Sequence, residues 1–133
     1  MKSVLVLAAL AAAAPAFAET PAELLAGYEA QARKMLPAFA GASAQRGEQF
    51  FTSRHGAEWS CSSCHGAPPT AQGKHAGTGK AIRPLAPSAN AERFTRAAKA
   101  EKWFRRNCND VLSRECTPAE KADVLAYLPK ARP

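Results

Sequence analysis

Apolar residues recur every three or four positions in four segments of the chain, which is the spacing of an amphipathic helix. The long stretch between the second and third segments has neither this spacing nor the alternation of a strand. The pattern therefore predicts an all-α protein with about four helices. In chain order they cover residues 21–36, about three turns after an N-cap at Ser43, residues 91–112 with Asn90 as N-cap and a break allowed near Ala100, and residues 118–128.

Local residues agree with this helical pattern. The sequences Thr20-Pro21-Ala22-Glu23 and Thr117-Pro118-Ala119-Glu120 each combine a capping box with a proline at the first helical position. In the second segment, Gly47 and Phe51 are one turn apart. A glycine at that spacing lets another backbone approach next to the aromatic ring. We therefore expect a close helix contact at Gly47.

Residues 66–90 break the helical pattern and form a long loop rich in proline and glycine. A structureless loop of this length is unusual in a small domain. It is reasonable where the loop wraps a large ligand instead of packing against another layer of the protein. The residues that break the pattern are Gly66, Pro68, Pro69, Gly73, Gly77, Gly79, Pro84 and Pro87.

The N-terminus has the features of a secretory signal peptide. Lys2 precedes the apolar run Val4–Ala14, and Ala16-Phe17-Ala18 gives the small-x-small pattern of a cleavage site. The run is shorter than the roughly 20 residues of a membrane-spanning helix. We therefore predict a cleaved signal peptide over residues 1–18 and a single domain over residues 19–133. An uncleaved anchor is the alternative. Secretion predicts a periplasmic protein, in a compartment where disulfides persist.

Composition and charge narrow the class of protein further. The 133 residues are 47% hydrophobic and 22% charged, which excludes a disordered chain, and the length excludes a multidomain enzyme. The formal charge is +7, and removal of the signal peptide takes away only Lys2. A basic surface either steers an acidic redox partner or serves solubility alone. No segment resembles a base-reading module, so the charge does not predict nucleic-acid binding.

The sequence Cys61-Ser62-Ser63-Cys64-His65 is the C-x-x-C-H signature of c-type haem attachment. Two intervening residues let both sulfurs reach the vinyl groups along one porphyrin edge, and the next imidazole can then ligate the iron. The competing interpretations are a redox dithiol, which is typical of a βαβ context, and half of a zinc site, which needs a second close pair. The predicted cofactor is one covalent haem c held by Cys61 and Cys64, with His65 as the proximal ligand.

The second axial ligand is less obvious, because no methionine follows His65. Met35 lies on the first helix, where its spacing predicts a core position. His75 lies in the wrapping loop, and a haem with two histidine ligands is chemically reasonable. The other candidates are His55, Lys74, Asn90, Asn107, Asn109 and Cys108, or no protein ligand at all.

Asn107 differs from the other candidates in its place on a helix. It lies on one stripe with Phe104 and Val111, and Trp103 is one turn before it. Burying an unpaired amide costs about 1–3 kcal/mol, so Asn107 needs a partner. Iron is one such partner, and a backbone carbonyl in the core is the other. The spacing alone leaves both open.

Cys108 and Cys116 are eight residues apart, a poor match to a zinc pair. In an oxidising compartment an even number of cysteines favours a disulfide between them. Such a bridge would pin the segment next to Asn107. It is either a structural staple alone or a device that fixes the position of the distal ligand.

At this point three segments of the chain resemble a known family, the small periplasmic c-type haem proteins called sphaeroides haem protein. They are Trp59–His65, Gly79–Pro87 and Lys102–Cys108 with its continuation to Cys116. The resemblance covers nearly all of the chain after the signal peptide. The haem motif alone is not specific. The Asn-Cys pair followed by a cysteine eight residues later, without a downstream methionine, is specific.

The resemblance implies a class I cytochrome c-like fold in which Asn107 is the distal ligand and Cys108 pairs with Cys116. In the family the asparagine binds ferric iron and leaves it on reduction, and the ferrous haem then binds oxygen, nitric oxide or carbon monoxide. A di-haem cytochrome c is the electron donor that the resemblance implies. The expected function is an electron-accepting, gas-binding haem protein.

Two other functions stay open on the sequence. One is a plain electron carrier with two permanent ligands, His65 and His75. The other is an enzyme such as an oxygen or nitric oxide reductase, which would need a distal acid–base group. His75 and the arginines are the residues that could supply one.

Overall fold

The computed structural model describes residues 18–56 and 58–132, so the predicted signal peptide lies almost wholly outside the described residues. The fold is all-α, as predicted. In chain order the elements are α1 (Pro21–Met35), α2 (Ala44–Thr52), α3 (Cys61–His65), β1 (Gly73–Lys74), β2 (Ala81–Ile82), α4 (Ala97–Leu112), α5 (Pro118–Tyr127) and a 3-10 turn (Leu128–Lys130). Among the described helices, none is long and apolar enough to cross a membrane.

Three of the four predicted start signals are confirmed, those at Thr20, Ser43 and Thr117. Thr20 and Glu23 form a reciprocal capping box at α1, and Thr117 and Glu120 form another at α5. Ser43 caps α2 by accepting a hydrogen bond from the Arg46 backbone N–H at 3.3 Å. These caps satisfy backbone donors that the first turn of a helix leaves unpaired.

Helix α5 is the centre of the fold, because both α1 and α2 pack against it. At the α2 contact, a Cβ on Gly47 would lie 2.0 Å from the Asp123 backbone oxygen of α5. The neighbouring Phe51 is fully buried and lies 5.7 Å from the Tyr127 ring. The predicted close approach at Gly47 is therefore confirmed, and its partner is the C-terminal helix.

Two ion-pair clusters connect the helices. Lys121 of α5 is buried, and its Nζ lies 2.5 Å from Glu101 Oε1 of α4. The same carboxylate accepts a hydrogen bond from the Tyr28 hydroxyl of α1 at 3.0 Å. In the second cluster, Arg46 of α2 donates two hydrogen bonds of 2.8 Å to the Asp123 carboxylate of α5. Each cluster satisfies a buried charged group, and together they fix the relative positions of four helices.

The predicted helix after Asn90 begins six residues later than expected and has no break at Ala100. Asn90 instead ties the loop together, since its side-chain amide donates to the Pro84 carbonyl at 3.2 Å. Phe94 has a left-handed backbone with φ of 58°, which a helix cannot contain. The apolar spacing was misleading because Phe94 reaches the core from a turn, where it packs beside Phe104.

The core position predicted for Met35 is wrong: its side chain is 71% exposed. The buried stripe of α1 consists of Leu24, Tyr28 and Ala32. The next position on that stripe is Leu36, which is 53% exposed. Leu36 has an extended backbone (φ −136°, ψ 92°), so the helix ends before the stripe can continue.

The loop of residues 66–90 contains one short antiparallel ladder that the sequence did not indicate. Gly73 pairs with Ile82 and Lys74 with Ala81. Each strand is two residues long, so this hairpin shapes the loop without forming a sheet layer.

Candidate haem site

The C-x-x-C-H motif forms a short helix of its own, α3. Ser60 and Ser63 make a capping box: the Ser63 N–H donates to Ser60 Oγ at 3.2 Å, and the Ser60 N–H donates to Ser63 Oγ at 2.9 Å. Residues three apart on a helix share a face. The two thiols of Cys61 and Cys64 therefore point the same way, and both are free and half-buried.

The chemistry of the two thiols argues against a redox dithiol. Burial raises the pKa of the Cys61 thiol to about 11. Dithiol oxidoreductases work the other way, with an attacking thiol whose pKa is lowered so that it is a thiolate near neutral pH. A zinc site is not favoured either, since the described residues hold no cluster of three or more potential metal ligands. Two half-buried cysteines on one face of a short helix fit addition to vinyl groups.

His65 is held as a neutral imidazole. Burial, with smaller contributions from the nearby Arg93 and His75, lowers its pKa to about 4. The neutral ring is the form that binds metal ions. Its buried Nδ1 has no hydrogen-bond partner among the described residues. The ring is buried and neutral, and its other nitrogen, Nε2, faces Asn107, so Nε2 fits a metal-binding role.

Asn107 of α4 faces His65 across the site. Its Nδ2 lies 3.5 Å from His65 Nε2, although the two residues are 42 positions apart in the chain. Two metal–ligand bonds of about 2 Å each would separate the donor atoms by about 4 Å. A rotation of the amide presents Oδ1, the atom that can bind a metal, in place of Nδ2. The observed 3.5 Å is about 0.5 Å shorter than that separation, so the two side chains would hold one iron between them after moving slightly apart.

The sequence predicts that one stripe of α4 faces the core, and the structure confirms this for part of the stripe. Val111 is buried and Phe104 packs against both clusters of the core, so these two residues and the half-buried Asn107 face inward. Trp103 is different, because its side chain is 43% exposed. It lies on the outer side of α4 and does not support the inward stripe.

The other candidate ligands lie elsewhere. His75 is in the turn of the hairpin, where its Nδ1 accepts the Thr78 N–H at 3.1 Å. His55 Nε2 lies 2.7 Å from the Phe50 carbonyl, and its ring packs on Phe50 at 4.4 Å. The side chains of Lys74 and Asn109 are exposed. Of the candidates, the structure brings the Asn107 amide to His65 Nε2.

Cys108 and Cys116 form a disulfide in the structure, with a Cα–Cα distance of 5.6 Å. Both residues are buried. The bridge connects the last turn of α4 to the residue before the cap of α5. It therefore holds the backbone immediately after Asn107.

Two residues of the site were missed by the sequence reasoning. A Cβ on Gly73 would lie 2.1 Å from the Cys64 carbonyl, so only glycine lets the loop pass so close to α3. Arg93 fastens the same loop: its Nε donates to the Pro84 carbonyl at 2.9 Å and its Nη2 to the Arg83 carbonyl at 2.7 Å. Burial holds the pKa of Arg93 below its ordinary value. Neither contact has a local signal, because the partners are distant in the chain.

An all-α fold with a helical C-x-x-C-H motif and a second potential ligand opposite its histidine defines a c-type cytochrome. A family model described as a domain of unknown function, DUF1924, matches residues 37–128. The chain is 50% identical over 125 residues to the cytochrome c-type protein SHP of Cereibacter sphaeroides, covering 91% of this chain and 92% of that protein. It is 40% identical over 110 residues to cytochrome c″ of Methylophilus methylotrophus, covering 80% and 76% of the two chains.

Two solved structures of these relatives are also similar to the fold of this chain. Oxidised SHP, described as an oxygen-binding cytochrome c, superimposes with a TM-score of 0.74 at 50% identity, covering 84% of this chain and 96% of that chain. Oxidised cytochrome c″ from Methylophilus methylotrophus gives a TM-score of 0.75 at 38% identity, covering 85% and 95%. The chain belongs to the family of SHP, within DUF1924. It is therefore a haem cytochrome, and its relatives imply a covalently bound haem c.

Proposed function

We propose that this protein is a periplasmic cytochrome with one haem that accepts an electron and, when reduced, releases Asn107 so that a diatomic molecule can bind. Cys61 and Cys64 hold the haem through thioethers, His65 is the proximal ligand, and Asn107 is the displaceable distal ligand. Oxygen, nitric oxide and carbon monoxide are the ligands of suitable size.

The observation that carries this proposal is the 3.5 Å distance between Asn107 and His65 Nε2. An amide is a neutral oxygen donor and a weak ligand. It should bind ferric iron better than ferrous iron, which carries one positive charge less. Reduction therefore shifts the equilibrium of Asn107 from bound to released. Cys61, Cys64 and His65 retain the haem throughout.

Two relatives support this direction. SHP is described as an oxygen-binding cytochrome c. The solution structure of cytochrome c″, 39% identical with a TM-score of 0.70, is described as giving insights into haem-ligand detachment. Gas binding and ligand release are properties of those proteins, and our proposal extends them to Asn107 of this chain.

Other parts of the proposal rest on the sequence. The chain has four cysteines, and two of them form the disulfide, so one pair remains for one haem. The signal peptide over residues 1–18 would direct the protein to the periplasm and then be removed. The electron donor that we propose is a di-haem cytochrome c, as the family resemblance implies.

The test is an Asn107→Ala variant of the haem-loaded protein, with Asn109→Ala as the matched control. Asn109 is on the same helix but exposed. We expect Asn107→Ala to keep the covalent haem and to change the ferric visible spectrum to that of a high-spin or water-ligated iron. Asn109→Ala should leave the spectrum unchanged. An unaltered ferric spectrum in Asn107→Ala would remove this residue from the iron.

The visible spectrum of the ferrous protein distinguishes the proposed function from that of a plain electron carrier. If reduction releases Asn107, the ferrous wild-type spectrum should be high-spin and should shift at once when carbon monoxide is added. Two permanent ligands, His65 and His75, would instead give a low-spin ferrous spectrum that carbon monoxide does not change.

A further inference from the structure

The outer face of α4 carries an exposed aromatic ring with a cation on it. Trp103 is one of the few large apolar side chains exposed among the described residues. The Arg106 guanidinium lies 5.7 Å from the centre of its ring. Lys99, Lys102, Trp103 and Arg106 are spaced at i, i+3, i+4 and i+7, so they share one side of the helix. All four are exposed, and we call them the docking face.

The cations of the docking face form no ion pair within the described part of the protein, although Lys99 is close enough to Glu92 to help lower the pKa of that carboxyl. Lys99, Lys102 and Arg106 take part in none of its ion pairs. The one acidic residue within this stretch, Glu101, points to Lys121 and Tyr28 on the other side of the helix. Asp110 is exposed one turn after Arg106 and forms the acidic end of the face.

This arrangement is unfavourable for an isolated helix. Lys102 and Arg106 are four residues apart, a spacing at which like charges repel. Elsewhere four arginines do have carboxylate partners, whereas Arg54 and Arg96 are exposed and form no ion pair among the described residues. The pairs are Arg33 with Glu29, Arg46 with Asp123, Arg83 with Glu92, and Arg114 with Glu120. What points to a partner outside this chain is the clustering of three such cations around one exposed tryptophan.

The face is also close to the haem site. Trp103 is one turn before Asn107 on the same helix, and one helical turn advances about 5.4 Å. Asn107 points inward to His65 while Trp103 points outward. A molecule seated on Trp103 is therefore within one helix diameter of the position of the second axial ligand.

We propose that the docking face binds an acidic surface patch of the protein that delivers the electron. Tryptophan and arginine are the residues that dominate the energy of protein–protein contacts, and complementary charge accelerates their formation. A convex helix side cannot enclose a small molecule, which needs a concave site. A single ring among cations also lacks the apolar stripe of a membrane-binding helix. The proposal rests on the electron-accepting part of the proposed function.

The proposed step transfers one electron from the donor protein and no atom or chemical group. One electron leaves the reduced redox group of the donor and enters the ferric haem, so the donor is oxidised and the iron reduced by one unit. Docking through Trp103 shortens the path for that electron.

The experiment uses an acidic flavodoxin as the donor and the haem-loaded protein. The variant is Lys102→Glu/Arg106→Glu, and the matched control is Lys34→Glu/Arg54→Glu, which changes the net charge equally at exposed residues of other elements. Binding of oxidised flavodoxin to the ferric protein is measured by calorimetry at low ionic strength. The rate of electron transfer from reduced flavodoxin is measured by stopped flow.

We expect the docking-face variant to bind at least tenfold more weakly and to be reduced at least tenfold more slowly, within the range that electrostatic steering gives. The control should change less than twofold. Salt should remove the difference, because it screens the charges. Reduction by neutral lumiflavin should proceed at the wild-type rate in both variants, which shows that the haem is intact.

Three results would overturn the docking proposal: equal losses in both variants, no binding of flavodoxin by the wild type, or binding to anionic lipid vesicles in preference to flavodoxin. The proposed release of Asn107 is tested separately by the Asn107→Ala spectrum. If that spectrum is unchanged while the docking-face variant loses binding, the docking proposal is supported and the proposed role of Asn107 is refuted.

Discussion

The contact between α2 and α5 permits a direct test with two alanine substitutions of opposite expected sign. In Gly47→Ala the new methyl group would lie 2.0 Å from the Asp123 carbonyl oxygen and 3.0 Å from Tyr127 Cβ. The obstructing oxygen belongs to the backbone of α5, so no side-chain rotation can relieve the clash. The two helices must move apart at a contact that also buries Phe51.

The magnitude follows from two opposing effects. Overpacking a well-packed contact costs about 1–3 kcal/mol, and a rigid backbone clash of this size belongs at the upper end. Replacing glycine with alanine inside a helix stabilises it by about 1 kcal/mol. The expected net loss in the free energy of unfolding is about 2 kcal/mol. For a domain of this size that lowers Tm by roughly 8 °C.

Gly27→Ala is the matched control. Gly27 is inside α1, and a Cβ there would meet nothing within 4 Å. Only the helix effect remains, so this variant should gain about 1 kcal/mol and about 4 °C in Tm. Both variants are measured by urea and thermal unfolding of the haem-loaded protein, followed by far-UV circular dichroism. A Gly47→Ala variant as stable as the wild type would refute the reasoning, and so would losses of equal size in both variants.

Two further predictions concern the cross-links around α4. Cys108 and Cys116 should give no free thiol when the secreted protein is denatured and labelled, and replacing both with alanine should cost about 2–3 kcal/mol by loss of the loop constraint. Burial raises the pKa of the Glu101 carboxyl, but hydrogen bonds from Lys121 and Tyr28 outweigh it and hold the pKa below its ordinary value. This carboxylate therefore contributes stability above about pH 4.5, which is lost as the pH falls through its lowered pKa. Glu101→Gln should therefore be less stable at pH 7 by about 1 kcal/mol, because solvent screens the half-exposed carboxylate that it removes. The variant should also lose stability less steeply than the wild type as the pH falls. An acid-unfolding profile parallel to that of the wild type would contradict this.

Much of the fold could be read from short-range patterns. The capping boxes at Thr20 and Thr117 mark the starts of α1 and α5, because each depends on residues only three positions apart. Gly47 and Phe51 marked a close contact for the same reason, although the identity of the opposing helix was open. The haem motif is also local, since both cysteines and the histidine lie within five residues.

Two predictions made from the sequence are wrong, and both concern the end of a helix. The spacing predicts Asn90 as the cap of a helix that in fact starts at Ala97, and it predicts a core position for Met35, whose side chain is exposed. Both errors lie at helix ends, since Asn90 precedes the first residue of α4 and Met35 is the last residue of α1. Hydrophobic spacing predicts that a helix exists more reliably than it predicts where it stops.

The sequence by itself determined the class of this protein: an all-α cytochrome with one C-x-x-C-H motif, because those signals lie within a few residues of one another. The tertiary structure decided which side chain faces His65. Asn107 is 42 residues away, and only the packing of α4 brings its amide to that ring. It also decided which cations are neutralised, since the carboxylate of Glu101 turns inward to Lys121 and leaves Lys102 and Arg106 exposed. Such pairings depend on the relative placement of whole helices, and a sequence pattern carries no record of that placement.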